Sequence, residues 1–342
     1  MTETSREYVV LSGMRPTGQI HLGNYFGAVK NWVDLQSKYR CYYFIADWHA
    51  LTTDYGDPSQ VGGSTLEMAA DLLAAGLDPE RSVLFVQSLV PEHAELHLLL
   101  SMITPLGWLE RVPTYKEQLR ELSNRDLSTY GFLGYPVLQT ADILLYRAHL
   151  VPVGEDQTSH LELSREIGRR FNGYFGEIFP EPKALFTPTP KVPGLDGRKM
   201  SKSYANTINL ADSPDEIRRK CKEMFTDPQR IRRRDPGHPE TCNLFGFHEL
   251  FSPPEIQERV AKECRLAEIG CVDDKGLIAE QIISALEPIR AKREALLRDD
   301  ATLVDILRDG SERARERARE TLETVRTALS INYRAIRGER SG

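Results

Sequence analysis

The chain has 342 residues, of which 40% are hydrophobic and 27% are charged, a composition typical of globular proteins. It contains no apolar run long enough to cross a bilayer, and its first seven residues lack the character of a secretion signal. We therefore expect a cytoplasmic protein with no membrane attachment. The net charge of −6 disfavours a non-specific polyanion binder but is compatible with a local basic patch for a nucleic acid. Five cysteines, an odd number, disfavour a disulfide framework.

Strand-like and helix-like patterns alternate over roughly the first 200 residues. Apolar runs predict strands at Tyr8–Leu11, Cys41–Ala46, Ser82–Val86 and Leu150–Val153. Helical patterns fill the intervals, one of them expected to start with Pro58 at its first position. The alternation predicts an α/β fold with a Rossmann-like, doubly wound parallel sheet.

After a turn-rich passage at 188–197, the sequence shows only helical patterns. Ser213, Pro214 and Glu216 form an N-terminal capping signal, and Gly310-Ser311 predicts a break before a final helix that ends near Leu329. We predict a catalytic domain at 1–205 and an all-helical C-terminal domain at 206–342, whose last helix is free to pack back on the first domain.

The stretch Pro16–Asn24 follows the first strand and precedes the first helix, where open α/β sheets bind phosphates. The glycine spacing does not fit G-x-G-x-x-G, so a dinucleotide turn is disfavoured. Instead, His21 and Asn24 place polar side chains, which we interpret as donors, beside the helix N-terminus. A buried histidine of the core is the alternative for His21.

A second polar stretch, Lys199-Met200-Ser201-Lys202-Ser203, follows Gly194 and Gly197. Two lysines with neighbouring hydroxyls suit a polyphosphate, because they supply positive charge and hydrogen bonds. A solvated basic loop is the alternative. Acting from opposite sides of a cleft, the two stretches would clamp ATP at its α-phosphate and at its leaving pyrophosphate.

This pair of motifs resembles the signature of the class I aminoacyl-tRNA synthetases. Nearly the whole chain resembles the bacterial tryptophanyl-tRNA synthetases, through Leu11–Gly18, Leu22–Tyr25, Ala141–Tyr146 and Val151–Gln157. The resemblance implies activation of L-tryptophan by ATP with Mg²⁺, transfer to tRNA(Trp), and a homodimer. It also implies that catalysis is carried by His21, Asn24, Lys199 and Lys202, which would stabilise the transition state.

The resemblance also implies binding residues. The ATP site would be lined by Arg15, Pro16, Thr17, Gly23, Asn24, Lys116, Gly154, Glu155, Asp156, Val192, Lys199, Met200, Ser201, Lys202 and Ser203. Tryptophan would be bound by His49, Tyr135, Gln139, Asp142 and Gln157. Asp142 would accept a hydrogen bond from the indole N–H, which is only a donor. A surface position on its helix is the alternative for Asp142, and a structural strand-end histidine is the alternative for His49.

Three other functions stay open: a tyrosyl-tRNA synthetase, a nucleotidyltransferase that loads no tRNA, and a non-catalytic paralogue. Tyr135, Gln139 and Asp142 are spaced as in tyrosyl-tRNA synthetases, and Gln139 replaces a methionine frequent in the tryptophan enzymes. Arg15 also departs from the common glutamine. A nucleotidyltransferase that loads no tRNA, and a non-catalytic paralogue, are disfavoured by the intact motifs.

For tRNA, Arg218–Lys220 and Arg230–Arg234 are the candidate phosphate contacts, with solvated helix surface as the alternative.

Cys242, Cys264 and Cys271 resemble part of the four-cysteine iron–sulfur site of some family members, with Asp274 in place of a fourth cysteine. A site of three cysteines and one aspartate is chemically allowed. We favour the interpretation that the cysteines are a structural remnant.

Overall fold

The structure is a computed structural model that describes residues 7–112, 115, 127–154, 158–186 and 192–333, the side chain of Ser203 excepted. Within these ranges the chain forms a five-stranded sheet with helices on both faces. The strands are β1 (Val9–Met14), β2 (Arg40–Ile45), β3 (Ser82–Val86), β4 (Leu150–Pro152) and β5 (Lys183–Leu185).

All strand pairings are parallel, and the strand order is β3-β2-β1-β4-β5. The chain therefore moves outward in one direction from β1 to β3 and in the other from β4 to β5. Such a reversal opens a crevice at the carboxyl ends of the strands, where α/β proteins bind their ligands. The predicted α/β fold class is confirmed, and the crevice lies between β1 and β4.

The helices are named here in chain order. The first, α1 (22–35), joins an α-helical turn Leu22–Asn24, a π-helical stretch Tyr25–Val29 and an α-helical stretch Lys30–Leu35. The others are α2 (Asp47–Asp54), α3 (Val61–Ala74), α4 (Glu92–Ser101), α5 (Leu106–Leu109), α6 (Tyr130–Leu145), α7 (Thr158–Phe175), α8 (Pro214–Glu223), α9 (Asn243–Phe251), α10 (Pro254–Arg265), α11 (Cys271–Arg298) and α12 (Asp300–Ala328). No helix in the described ranges is both long and apolar enough to span a bilayer.

Two apolar cores lie on the two sides of the sheet, and both include residues from the C-terminal helices. Ile278 and Leu303 belong to one core with Val10 and Trp32, whereas Ala318 belongs to the other. Burial of these side chains ties α11 and α12 to the sheet, since each buried aliphatic side chain contributes about 1.5–3 kcal/mol. The division between 1–205 and 206–342 stays a prediction.

Two local predictions were wrong, and one strand was missed. The chain does not break at Gly310-Ser311, because α12 runs through both residues and packs on β3. At Gly310 a side chain would begin 1.8 Å from the Leu84 carbonyl oxygen, so the glycine allows close approach of helix and strand. Pro58 precedes a turn, and α3 begins only at Val61. Strand β5 was not predicted, because three residues give too short a pattern.

Candidate active site

The turn after β1 brings His21 to the N-terminus of α1. His21 is the N-cap residue, and its Nδ1 accepts a hydrogen bond of 3.2 Å from the backbone N–H of Asn24. The ring is 7% exposed, and burial, with a smaller contribution from the Lys202 charge, lowers the pKa of His21 to about 4. The imidazole is therefore neutral at pH 7, with its proton on Nε2. One nitrogen, rather than both, remains to donate to a ligand.

The Lys199–Ser203 stretch is fixed by the side chain of Asn206. Its Oδ1 accepts from the Ser201 N–H at 2.8 Å, and its Nδ2 donates to Asp196 at 2.7 Å and to the Lys199 carbonyl at 3.2 Å. At Gly194, a side chain would start 2.0 Å from the Asn206 amide nitrogen, so glycine is required for this packing. The loop is thus held through its backbone, and Lys199 remains exposed.

The structure brings the two predicted halves of the clamp into contact. Lys202 Nζ donates to the Thr17 carbonyl at 3.0 Å, and the Gly23 N–H points to Met200 Sδ at 3.4 Å. The neighbouring backbone strengthens this contact, since the Leu22 N–H donates to the Ile208 carbonyl at 2.8 Å. Two stretches almost 180 residues apart therefore form one cleft at the carboxyl end of β1.

The remaining predicted ATP ligands fall into three groups. Arg15 and Thr17 are exposed beside the turn, whereas Pro16 is buried. Gly154 follows β4, and buried Val192 precedes Pro193, which pairs with Lys199. Lys116, Glu155, Asp156 and Gln157 lie outside the described residues.

Shielding from water lowers the pKa of Lys202, and the nearby carboxylate of Asp71 opposes that shift.

Asp142 on α6 is the centre of a buried polar network. Its Oδ1 accepts from Gln87 Nε2 at 2.8 Å and from His93 Nδ1 at 2.7 Å, and its Oδ2 accepts from His49 Nε2 at 2.8 Å. His93 Nε2 in turn accepts from the Tyr146 hydroxyl at 2.8 Å. Asp142 is 1% exposed, which excludes the surface alternative, and His49 belongs to the network.

The Asp142 carboxylate is held in its charged form. Burial by itself would raise its pKa, but the hydrogen bonds from His49 and His93 outweigh burial and hold the pKa well below its usual range. With three donors in place, the carboxylate is fixed in orientation, and it can act toward a ligand only as an acceptor. A group that donates and does not accept, such as an indole N–H, matches this chemistry.

Tyr135 and Gln139, also on α6, are linked through His160 of α7. The Tyr135 hydroxyl contacts His160 Nε2 at 3.2 Å, and His160 Nδ1 contacts Gln139 Oε1 at 2.8 Å. Gln139 accepts here, so His160 carries its proton on Nδ1, and Tyr135 donates to Nε2. The predicted amino-acid ligands on α6 are therefore all tied to buried or half-buried histidines.

The predicted cysteine group does not fit an iron–sulfur cluster. Asp274 Oδ1 is bound to His248 Nε2 at 2.9 Å, and Arg230 lies 3.7 Å from the Cys264 sulfur. Burial raises the pKa of the Cys242 and Cys264 thiols, which disfavours the thiolates that a cluster needs. Cys271 is the first residue of α11. In the described ranges no three His, Cys, Asp or Glu side chains are arranged to hold a metal ion.

Sequence reasoning missed several residues of the site. Gln87 directly follows β3 and could have been found from its place at the carboxyl end of a buried strand, the rule that applied to His49. His93 and Asn206 gave no such signal, since an isolated histidine in a helix and an asparagine in a loop are common. His93 acts through its contact with Asp142, which lies 49 positions later in the sequence. Asn206 acts through its contact with Ser201, which lies 5 positions earlier.

Comparison with known proteins identifies the family and agrees with the fold. Residues 3–287 match the family described as tRNA synthetases class I (W and Y). A tryptophan–tRNA ligase of Thermotoga maritima is 51% identical over 326 residues, which cover 95% of this chain and 99% of the relative. One of Aquifex aeolicus is 44% identical and covers 94% and 99%. The tryptophanyl-tRNA synthetase of Campylobacter jejuni, solved with ADP and tryptophan, has a TM-score of 0.89 at 36% identity, with coverage of 94% and 99%.

Proposed function

The chain belongs to the class I tRNA synthetases for tryptophan and tyrosine, and we propose that it is a tryptophan–tRNA ligase. It activates L-tryptophan with ATP to tryptophanyl-adenylate and transfers the tryptophanyl group to tRNA(Trp). The observation that carries this proposal is that two features lie at the carboxyl edge of the same parallel sheet. Asp142, a fixed and charged acceptor, is bound by His49 and Gln87, which follow β2 and β3. Neutral His21 and cationic Lys202, which together suit a nucleoside triphosphate, lie at the turn after β1.

The chemistry requires no nucleophile from the protein. The tryptophan carboxylate attacks the α-phosphorus of ATP, and pyrophosphate leaves with the Mg²⁺ that accompanies ATP. The protein aligns the two substrates and stabilises the charge that develops on the phosphates. We assign this task to the Nε2–H of neutral His21, to Asn24 at the N-terminus of α1, and to the ammonium groups of Lys199 and Lys202.

Lys202 has to change partners in this reaction. Its ammonium group is bound to the Thr17 carbonyl, a neutral acceptor, and a phosphate oxygen is a stronger acceptor for it. Exchange of the carbonyl for the departing pyrophosphate would draw the Lys199–Ser203 loop over ATP. The exposed Lys199 would reach the same phosphates from the other end of the loop.

Tryptophan selection rests on the Asp142 network. The indole N–H would donate to the carboxylate, and Tyr135 and Gln139 would line the amino-acid side through their links to His160. Tyrosine specificity is the alternative, because a phenol hydroxyl also donates. The three relatives above are named for tryptophan, which favours the first assignment.

Of the predicted tRNA contacts, the structure favours Arg232 and Arg234. Arg218, Arg219 and Lys220 are each paired with carboxylates on or near their own helix, whereas Arg230 is buried against backbone carbonyls. Arg232 and Arg234 are exposed, so their charge is available to phosphates. We propose that they contact tRNA, and that the reaction takes place in the cytoplasm.

A homodimer is supported by exposed apolar side chains on adjoining elements. Leu98 and Met102 in and after α4, Leu106 of α5 and Tyr130 of α6 are 54%, 70%, 63% and 65% exposed. Tyr130 contacts His97 of α4, which places these elements side by side. Exposed apolar patches of this kind mark interfaces, and the substitution Met102→Glu should shift the protein toward monomers in sedimentation experiments.

The decisive experiment is amino-acid-dependent exchange of pyrophosphate into ATP. Exchange with tryptophan and charging of tRNA are expected, and exchange with tyrosine alone would establish the alternative. His21→Ala should reduce the exchange rate strongly, because the Nε2–H is lost together with the helix cap. An unchanged rate would show that His21 has no part in adenylate formation.

A further inference from the structure

A buried carboxylate behind the ATP clamp has no role in the function described so far. Asp71 lies on α3 and is 0% exposed. Its Oδ2 accepts a hydrogen bond of 3.0 Å from the backbone N–H of Ile20, the residue before His21. A buried carboxylate is costly unless it is paired, so such a position needs an explanation.

The partner of Asp71 comes from the C-terminal part of the chain. Arg293 of α11 is 11% exposed and donates through Nε to Asp71 Oδ1, while its NH2 group reaches Glu67 Oε2 at 3.3 Å. The ion pair joins residues 222 positions apart. Asp71 lies on α3 beside the turn Pro16–Asn24, called the ATP turn below, and Arg293 lies on α11 in the C-terminal helical part of the chain. α11 packs on α3 along this contact.

Asp71 also acts on the second half of the clamp. Lys202 Nζ donates to the carbonyl of Thr17, three residues before the Ile20 N–H that Asp71 binds, so both side chains hold the same turn. The negative charge of Asp71 also raises the pKa of Lys202, against the larger effect of burial. The charged groups that act on Asp71 are Arg293 and Glu67, and its carboxylate also accepts from the Ile20 N–H. One carboxylate thus holds the turn before His21, balances Lys202 and binds α11.

We propose that Asp71 is a positioning residue for adenylate formation, which sets the ATP turn and Lys202 and makes their geometry depend on the docking of Arg293. The inference rests on the proposed function and extends it. Asp71 touches no substrate. It acts by fixing the backbone at Ile20 and by supporting the charge of Lys202, and Arg293 determines where its carboxylate lies.

The test compares Asp71→Asn with Glu67→Gln in tryptophan-dependent pyrophosphate exchange. Asparagine has one acceptor oxygen for two donors, so either the Ile20 N–H or Arg293 loses its bond. We expect kcat/KM for ATP to fall by about tenfold or more, since small misplacements of catalytic groups are costly, while the KM for tryptophan changes less than about twofold. Glu67→Gln removes the charge of the half-exposed second partner of Arg293 and should leave both constants within about twofold.

A second readout separates positioning from loss of stability. Without the Asp71 charge the pKa of Lys202 should fall further, so the basic limb of the pH profile of kcat/KM for ATP should move to lower pH. Arg293→Lys should retain most activity and Arg293→Met should not. Glu95→Gln, which breaks a different pair between helices, with Arg326, serves as the stability control and should leave the ATP constants unchanged.

The outcomes distinguish an error in the proposed function from an error in the positioning role of Asp71. If the unaltered protein fails to exchange pyrophosphate with tryptophan, the proposed function is wrong. If it exchanges normally and Asp71→Asn keeps the kcat/KM for ATP and the pH profile, the positioning role is wrong. Equal loss in the ATP and tryptophan constants, with a matching fall in Tm, would also overturn it, because that pattern indicates a general loss of structure.

Discussion

The proposed amino-acid end and the proposed phosphate end of the crevice differ in how their polar groups are held. Around Asp142, the bonds come from side chains that follow strand ends or project from long helices, namely Gln87, His49 and His93. Around Lys202, the bond is to a main-chain carbonyl, and the loop itself is fixed by a single asparagine. The first end is buried, whereas at the second end Lys199 is exposed to solvent and Lys202 is only partly shielded from it.

The difference follows from what each end has to do. Discrimination between similar amino acids requires a rigid acceptor with a fixed charge, since buried polar groups reject ligands that leave them unpaired. Binding of ATP and release of pyrophosphate require groups that can move and exchange partners. We therefore expect substitutions at the first end to affect tryptophan constants and substitutions at the second end to affect ATP constants.

The largest expected effect is at Asp142. Asp142→Ala removes the only charged acceptor of the network and leaves the Gln87, His49 and His93 donors unpaired. We expect the kcat/KM for tryptophan to fall by about 10³-fold or more. Pyrophosphate exchange at varied tryptophan measures it, with Gln139→Met as the matched control, which should change the same constant less than about threefold. A larger effect at Gln139 would indicate that selection depends on α6 packing instead.

The next effect is at Lys202. Lys202→Met keeps much of the side-chain volume and removes the charge, so kcat for exchange should fall by about 10²-fold while the KM for tryptophan stays within about twofold. Arg198→Met, which removes an exposed cation paired with Asp196 in the same loop, should have little effect. Similar losses in the two variants would show that net loop charge, not the position of Lys202, is what matters.

A smaller effect is expected at Asn206. Asn206→Ala removes three hydrogen bonds that fix the Lys199–Ser203 loop, and it should raise the KM for ATP by about five- to tenfold through increased loop freedom. Asn243→Ala, which loses only its 3.0 Å bond to the Gly194 carbonyl, should have a weaker effect. The prediction fails if Asn206→Ala alters the tryptophan constants as much as those for ATP.

The smallest effect concerns pH. Because the pKa of His21 is lowered to about 4, its ring stays neutral from pH 8 down to about pH 5. Its folded pKa lies below the unfolded value of about 6.5, so protonation favours unfolding, and stability should fall as the pH drops from about 6.5 toward 4. NMR titration of His21 checks the value, and a midpoint near 6.5 would contradict the buried N-cap geometry.

The sequence was informative where chemistry depends on neighbouring residues. His21 and Asn24 were predicted to lie at the start of a helix, and α1 does begin at Leu22, although the cap that His21 forms was not predicted. Buried strands β2 and β3 were visible as apolar runs, and the carboxyl end of β2 located His49. At Ser213, the capping residue and the following proline predicted the start of α8 correctly.

Long-range contacts could not be read in this way. Gly310 has the local properties of a helix stop, yet its lack of a side chain serves the approach to Leu84, which is 226 positions away in sequence. Likewise, Asp71 and Arg293 are ordinary charged residues of two helices until the fold buries them together. Local propensity is a weak guide at such positions, because packing against distant elements decides the conformation.

The amino-acid sequence by itself determined the parallel α/β fold class, the two stretches proposed to bind phosphates and the resemblance that names Asp142. These depend on periodicity and short motifs, which are properties of adjacent residues. Only the tertiary structure decided that Asp142 is buried and fixed by three donors, that His21 is neutral, and that Asp71 links the ATP turn to α11. Burial, charge state and pairing depend on neighbours brought together by folding, and no stretch of sequence contains them.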